Sequence, residues 1–208
     1  MTVRDRRAWR LAAVVVCASM VGCGSSAQNA PSDLGDHDLA GSTTGNKRVF
    51  VTAATFAGDL ASTGNGSSGR AGADHLCNAA ASTAGLGGMW AAWLSDMTSA
   101  IDHINDVGPW HLTDGAATVA FHSKADLAGD PIAAIVYNEN ATTNNSDGVW
   151  TGTGAGGTAS GQSCQQWMTA AAGTVGTFGK SDYDTGGAWT SYQTLSCNSS
   201  LHLYCFEQ

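Results

Sequence analysis

The chain has 208 residues, with 27 glycines, 9 basic and 17 acidic side chains and a formal charge of −8. Residues 1–22 hold Arg4, Arg6, Arg7, Arg10 and Asp5; without them 5 basic and 16 acidic residues remain, a net of −11. Such a surface repels nucleic acid and heparin-like polyanions, and it offers no basic patch to anionic lipid.

The basic start is followed by an apolar run, Leu11 to Val21, and then Gly22-Cys23. A charged head, a short apolar stretch and a small residue before the cut form a signal peptide over 1–22. The run is too short for a stable membrane-spanning helix. Met20-Val21-Gly22-Cys23 resembles a bacterial lipobox, which implies lipidation at Cys23 and an envelope lipoprotein attached to the membrane through that anchor only. Gly24 rather than Asp follows, which by resemblance to lipoprotein sorting rules implies the outer membrane. The alternative is ordinary secretion after cleavage near Gly22 or Ala27. Residues 23–46 are rich in Gly, Ser, Thr, Asn and Asp and read as a flexible tether.

The folded domain is predicted over 47–208. Arg48 to Thr52 reads as a strand from its β-branched and aromatic content, and Gly58 to Gly69 as a loop. Ala73, Leu76, Cys77, Ala80, Ala81 and Ala84 recur at helical spacing, with Gly85 placed to end the helix. Cys77 falls on the buried stripe. Gly87 to Ser95 suggests a core strand, and Ser95 or Asp96 can cap a short helix carrying Ala100, Ile101 and Ile104. Trp110 to Phe121 reads as a hairpin around Thr113-Asp114-Gly115. Ile132 to Tyr137 is predicted as a strand, Asn138 to Gly148 as a polar loop, and Val149 to Thr151 as a strand. Cys164 to Trp167 is predicted as a strand entering the core, and Gly173 to Gly187 as a long loop. The closing stretch, Cys197 to Gln208, alternates Leu201, Leu203 and Cys205 with His202, Tyr204 and Phe206. That period of two marks a strand with a side-chain set on each face. Many short strands with few helices give an α+β domain.

After Cys23 four cysteines remain. An even number in an exported domain predicts two disulfides, with three pairings open to the sequence alone. No C-x-x-C pair is present, which argues against a zinc ribbon.

Three groups of residues carry a resemblance. Gly72 to Cys77, Ala84 to Gly88 and Ala92 to Ser95 look like the helix and following strand of endostatin. Val149 to Thr153, Cys164 to Trp167, and Cys197 to Cys205 look like its second half. Trp93-Leu94-Ser95-Asp96 and Leu203-Tyr204-Cys205-Phe206-Glu207-Gln208 also resemble an uncharacterised lectin-like domain of exported bacterial lipoproteins. The resemblance covers Lys47 to Gln208 and implies a single endostatin-like domain of the C-type lectin-like fold. It further implies that Cys77 bonds Cys205 and that Cys164 bonds Cys197.

The predicted function is that of an exported, lipid-anchored envelope protein whose domain binds an extracellular glycan or protein. The alternatives are a structural envelope component without a dedicated ligand, and a hydrolase with an unrecognised site. The candidate ligand surface is the loop residues Asn138, Glu139, Asn140, Asn144, Asn145 and Asp147, with Trp150 and Trp189 able to stack on sugars. Oxygen donors of this kind suit calcium, but no proline lies among them and Ala188-Trp189-Thr190 lacks the Asn-Asp pair of calcium-dependent lectins. A solvated polar loop is the plainer reading, and Asp182 and Asp184 are read with the same caution. Endostatin's zinc histidines have no match at Gly45-Asn46-Lys47, and its heparin arginines none beyond Arg48 and Arg70. No tight zinc or heparin binding is therefore expected. Asp102, His103, Asp106 and His111 are the densest metal-type cluster, but Gly108-Pro109 prevents one helix from presenting all four, and they read as a solvated helix end. No G-x-S-x-G nucleophile motif is present, and no resident cofactor and no catalytic role are predicted.

Overall fold

The computed structural model describes residues 46–144 and 147–208, which lie in one compact unit, Thr43–Gln208. The signal segment, Cys23, the tether up to residue 45 and Asn145 lie outside the described residues. Among the described residues no helix is long and apolar enough to cross a membrane.

The domain is α+β and holds two sheets. The larger runs in the order β2 (Trp90–Ala92), β8 (Tyr204–Glu207), β1 (Lys47–Val51), β3 (Trp110–Leu112) and β4 (Val119–Phe121). β1 and β3 are parallel and the other pairs antiparallel. The smaller is an antiparallel meander of β5 (Gly148–Trp150), β6 (Val175–Lys180) and β7 (Gln193–Ser196). Before entering the larger sheet, the closing segment bridges to the smaller one at Val149–His202.

Alternation along the strands separates two cores. Val49, Val51, Trp110, Leu112, Tyr204 and Phe206 face one side, where they pack with Trp93, Phe121 and Trp189. Phe50, Leu203 and Cys205 face the other, where they meet Ala73, Cys77 and Ala81 of the helix α2 (Gly69–Thr83). A shift of one residue in β8 would exchange these sets, so register and core specify each other. Fully burying each large side chain contributes about 1.5–3 kcal/mol.

Local chemistry fixes α2. Ser68 accepts the Ala71 N–H at 3.2 Å, and Gly85 takes φ +72 just past the last turn. The helix is fastened by Cys77–Cys205, across 128 residues, and the second disulfide is Cys164–Cys197, across 33. In the chain-entropy model such loops are worth about 4–5 and about 3–4 kcal/mol. The short helix α3 (Ala100–His103) starts after Ser99, not at Ser95 or Asp96, and the Ser99 side chain makes no capping bond; the Ala100 N–H is accepted by Ser95 Oγ at 2.8 Å, from outside the cap.

Four further expectations need correction. Within the predicted 58–69 loop, Asp59 caps a short helix, α1 (Leu60–Thr63), that buries Leu60 and Ala61. The apolar run Ile132 to Tyr137 forms no ladder: Ile132 N–H bonds Ala120 O and Val136 N–H bonds Ala134 O, so the run winds as a loop that inserts Ile135 into the core. The predicted loop Gly173 to Gly187 contains β6, the middle strand of the smaller sheet. Its Gly176 looked like a loop residue, yet it is there for close packing: a Cβ would stand 2.8 Å from Cys164 Sγ and 3.1 Å from Trp150. Finally, Cys164–Trp167 is not a strand but a helical turn of unusual hand.

Candidate functional site

Four consecutive non-glycine residues take positive φ: Cys164 at +48, Gln165 at +54, Gln166 at +61 and Trp167 at +62. This is one turn of left-handed helix, which costs an L-residue about 1–2 kcal/mol. Several groups hold it. Ser163 Oγ accepts the Gln166 N–H at 3.2 Å, Ser163 O accepts the Trp167 N–H at 2.6 Å, and Cys164 O accepts the Met168 N–H at 3.2 Å. Cys164 is bonded to Cys197. The Trp167 indole is fully buried, donates from Nε1 to Ser95 O at 2.8 Å and lies 5.7 Å from the Trp150 ring. The turn thus directs its first and last side chains inward and leaves Gln165 and Gln166 exposed.

These two amides edge a cleft of about 700 Å³ shared with Asp96, Met97, Gln162 and Val175. Met97 and Val175 are exposed and supply an apolar rim. Asp96 is pinned by Arg70 Nη2 at 2.9 Å, by Thr98 N–H at 2.8 Å and by Thr98 Oγ at 3.0 Å. Partial burial works against its charge, but the Thr98 bonds and the Arg70 guanidinium outweigh it and hold the carboxyl below its ordinary value. The cleft therefore presents neutral amides on a rigid turn, main-chain polar groups of a glycine-containing segment, and one ionised, already paired carboxylate. These groups exchange hydrogen bonds with hydroxyls and amides.

The sequence-predicted surface is arranged differently. Asn138 is buried and organises its own loop. Its Oδ1 accepts from Asn140 N–H at 2.9 Å and Thr142 N–H at 3.2 Å, while its Nδ2 donates to Thr142 Oγ and Asn144 Oδ1. Asn144 Nδ2 donates to Thr52 O at 2.9 Å, Glu139 Oε2 accepts the Ala53 N–H at 2.8 Å, and Asp147 stands 3.5 Å from His202 Nε2. The loop's polarity thus holds it to the residues that follow β1 and to the closing segment. Asn140 remains exposed.

Trp150 and Trp189 are not surface residues. Both are buried, with Nε1 donating to Phe56 O and Gly129 O, so neither can stack on an outside sugar. The cluster of Asp102, His103, Asp106 and His111 is dispersed: His103 pairs with Asp74 at 2.9 Å and His111 sits within β3. Among the described residues no group of three or more His, Cys, Asp or Glu side chains is placed to hold a metal ion.

Gln165 and Gln166 are the cleft residues that sequence reasoning passed over. Neither glutamine marks left-handed backbone, which glycine and asparagine favour. The one local signal was Ser163 before a Cys-Gln-Gln-Trp run that alternation fits poorly. No family model matches this chain, and no curated protein is significantly similar to it.

Proposed function

We propose that this is an exported protein, anchored in a bacterial outer membrane through lipid on Cys23, whose C-type lectin-like domain binds an extracellular glycan in the cleft beside the left-handed turn. The observation that carries the reading is the turn itself: backbone energy is committed to holding two neutral amides outward next to an apolar rim. Backbone strain that the surroundings over-determine is concentrated at ligand sites. Amides match the alternating donors and acceptors of sugar hydroxyls, and Met97 and Val175 suit the C–H face of a sugar ring. The lectin-like assignment is supported by the disulfides, which join the cysteines that the resemblance pairs. The domain works as a binding module rather than an enzyme, because the cleft offers amides and a carboxylate already engaged with Arg70 and Thr98. For the same reason binding in the cleft does not depend on calcium.

A glycan panel probed with the full chain in detergent, with and without calcium, tests this. The wild type retains one class of glycan under both conditions, and Gln165→Gly/Gln166→Gly, which keeps the turn but removes both amides, loses it. Retention by the variant, or binding that requires calcium, would reject the cleft as the site.

A further inference from the structure

The helix α2 covers only part of its face of the larger sheet. It is fastened to β8 by Cys77–Cys205 and to β2 through Asp74 Oδ1, which accepts the Ala92 N–H, and through Asn78, which bonds Trp90. Farther along that face, beyond Arg48 of β1, comes His111 of β3, its register partner. A cavity of about 310 Å³ opens there, lined by Arg48, Leu86, His111, Ala117, Glu139 and Ala141 among others.

Three polar side chains line this cavity: His111, Arg48 and Glu139. His111 is 7% exposed, and its Nδ1 is buried with no hydrogen-bond partner. Only one other buried side-chain atom among the described residues shares that condition, Arg70 Nε. Buried polar groups are nearly always paired, and the partners of His103 and His202 follow that rule. Arg48 is held at one edge: Nε donates to Glu207 Oε2 at 2.7 Å, Nη2 donates to Gly87 O at 3.0 Å, and the guanidinium lies 5.3 Å over the Trp90 ring. Glu139 is likewise held through one oxygen, Oε2, by the Ala53 N–H at 2.8 Å. A fixed cation and a fixed anion thus border one small cavity whose remaining wall includes Leu86, Ala117 and Ala141.

We infer that this cavity binds a small amino-acid-type zwitterion with an aliphatic side chain. The carboxylate is taken by the Arg48 guanidinium hydrogens that Glu207 and Gly87 leave over, the ammonium by Glu139, and the imidazole of His111 forms part of the wall. The aliphatic part lies against Leu86 and the two alanines. Charge selects the zwitterion over its halves. Glu207 already offsets Arg48, so Arg48, Glu207 and Glu139 together carry one net negative charge, which disfavours a simple carboxylic acid. A simple amine has no oxygen to accept the Arg48 N–H groups that Glu207 and Gly87 leave unused. The volume is at the lower end of small-molecule sites, about 300–1,000 Å³, and suits a single amino acid or a dipeptide.

The test is calorimetric titration of the full chain in detergent with L-leucine, L-leucyl-L-leucine, isoamylamine and isocaproate, together with imidazole ¹⁵N spectra of the wild type. We expect leucine or its dipeptide to saturate below about 10 mM, with a shift of the His111 ring signals, and the amine and acid to bind at least about tenfold more weakly. Glu139→Gln keeps an acceptor for the Ala53 N–H and removes the charge; it should weaken the zwitterion about tenfold and leave the near-ultraviolet spectrum unchanged. The inference is overturned by wild-type spectra in which His111 does not move with either zwitterion. It is overturned equally by isoamylamine binding as tightly as leucine, or by leucine binding that is indifferent to Glu139→Gln. This site is separate from the glycan cleft, so Gln165→Gly/Gln166→Gly should leave leucine binding unchanged.

Discussion

Replacing Gln165 or Gln166 by glycine should make the protein more stable. The two residues hold φ at +54 and +61 and both are exposed. An L-side chain in that region costs about 1–2 kcal/mol through the clash of Cβ with the following carbonyl. Glycine removes the clash but adds freedom to the unfolded chain, worth about 0.5–1 kcal/mol in the opposite direction. The net expectation is a gain of about 0–1.5 kcal/mol at each position, at about 2–4 °C in Tm per kcal/mol for a domain of this size. Ala79 is the internal control, since it is exposed on the right-handed helix α2. There Ala79→Gly should lose about 1 kcal/mol. Urea unfolding followed by tryptophan fluorescence, without reductant, measures all three variants. Opposite signs at the two places support the left-handed turn. Glycine variants at 165 and 166 that are both less stable than the wild type would refute it.

The paired change Cys77→Ala/Cys205→Ala removes the longer covalent loop without leaving a lone thiol. It should cost about 4–5 kcal/mol in the chain-entropy model, a large share of the roughly 5–15 kcal/mol typical of whole domains; urea unfolding gives the value, and a loss under about 1 kcal/mol contradicts it. Cys23→Ser should move the protein from the membrane to the soluble fraction, and unchanged partitioning on fractionation would rule out the lipid anchor. The carboxyl of Asp96 lies below its ordinary 3.8 in the folded protein, so its contribution to stability is present above about pH 4 and disappears as pH falls through the lower, folded value. Asp96→Asn should therefore lower stability at neutral pH and flatten the acid limb of a stability–pH profile; an unchanged acid limb would show that Asp96 contributes nothing there.

The parts of the fold that sequence made legible are those in which a periodic apolar pattern and a burial pattern coincide. Leu203 and Cys205 on one face and Tyr204 and Phe206 on the other were readable because β8 is buried on both sides between two cores. Cys77 was readable as structural from the alanine stripe of α2. The strand β6 was missed because two of its positions are glycines for tertiary reasons. Gly176 makes room for Cys164 and Trp150, and Gly179 lies against the backbone of Trp189 and Thr190. Such glycines look like loop residues until the neighbour that needs the space is known. The polar loop was readable as a loop but not for its purpose, because short side chains such as Asn138 and Asn144 bond nearby or distant backbone without any periodic trace.

The cleft was the least legible part, and energetics explain why. Four left-handed residues cost together about 4–8 kcal/mol, so nothing in their own identities favours the turn. What opposes that cost is elsewhere in the chain. The Cys164–Cys197 loop supplies about 3–4 kcal/mol and the burial of Trp167 about 1.5–3 kcal/mol, with the Nε1 bond to Ser95 O as a further net contribution of about 1 kcal/mol. These sums are comparable, so the turn is held with little to spare. Each stabilising part depends on a partner distant in sequence: Cys197 across 33 residues and Ser95 across 72. A local reading of Cys-Gln-Gln-Trp sees neither. The same balance makes the outward placement of Gln165 and Gln166 conditional on the disulfide, whereas the larger sheet has its own fastening at Cys77–Cys205. Loss of Cys164–Cys197 therefore relaxes the proposed binding edge before it unfolds the domain.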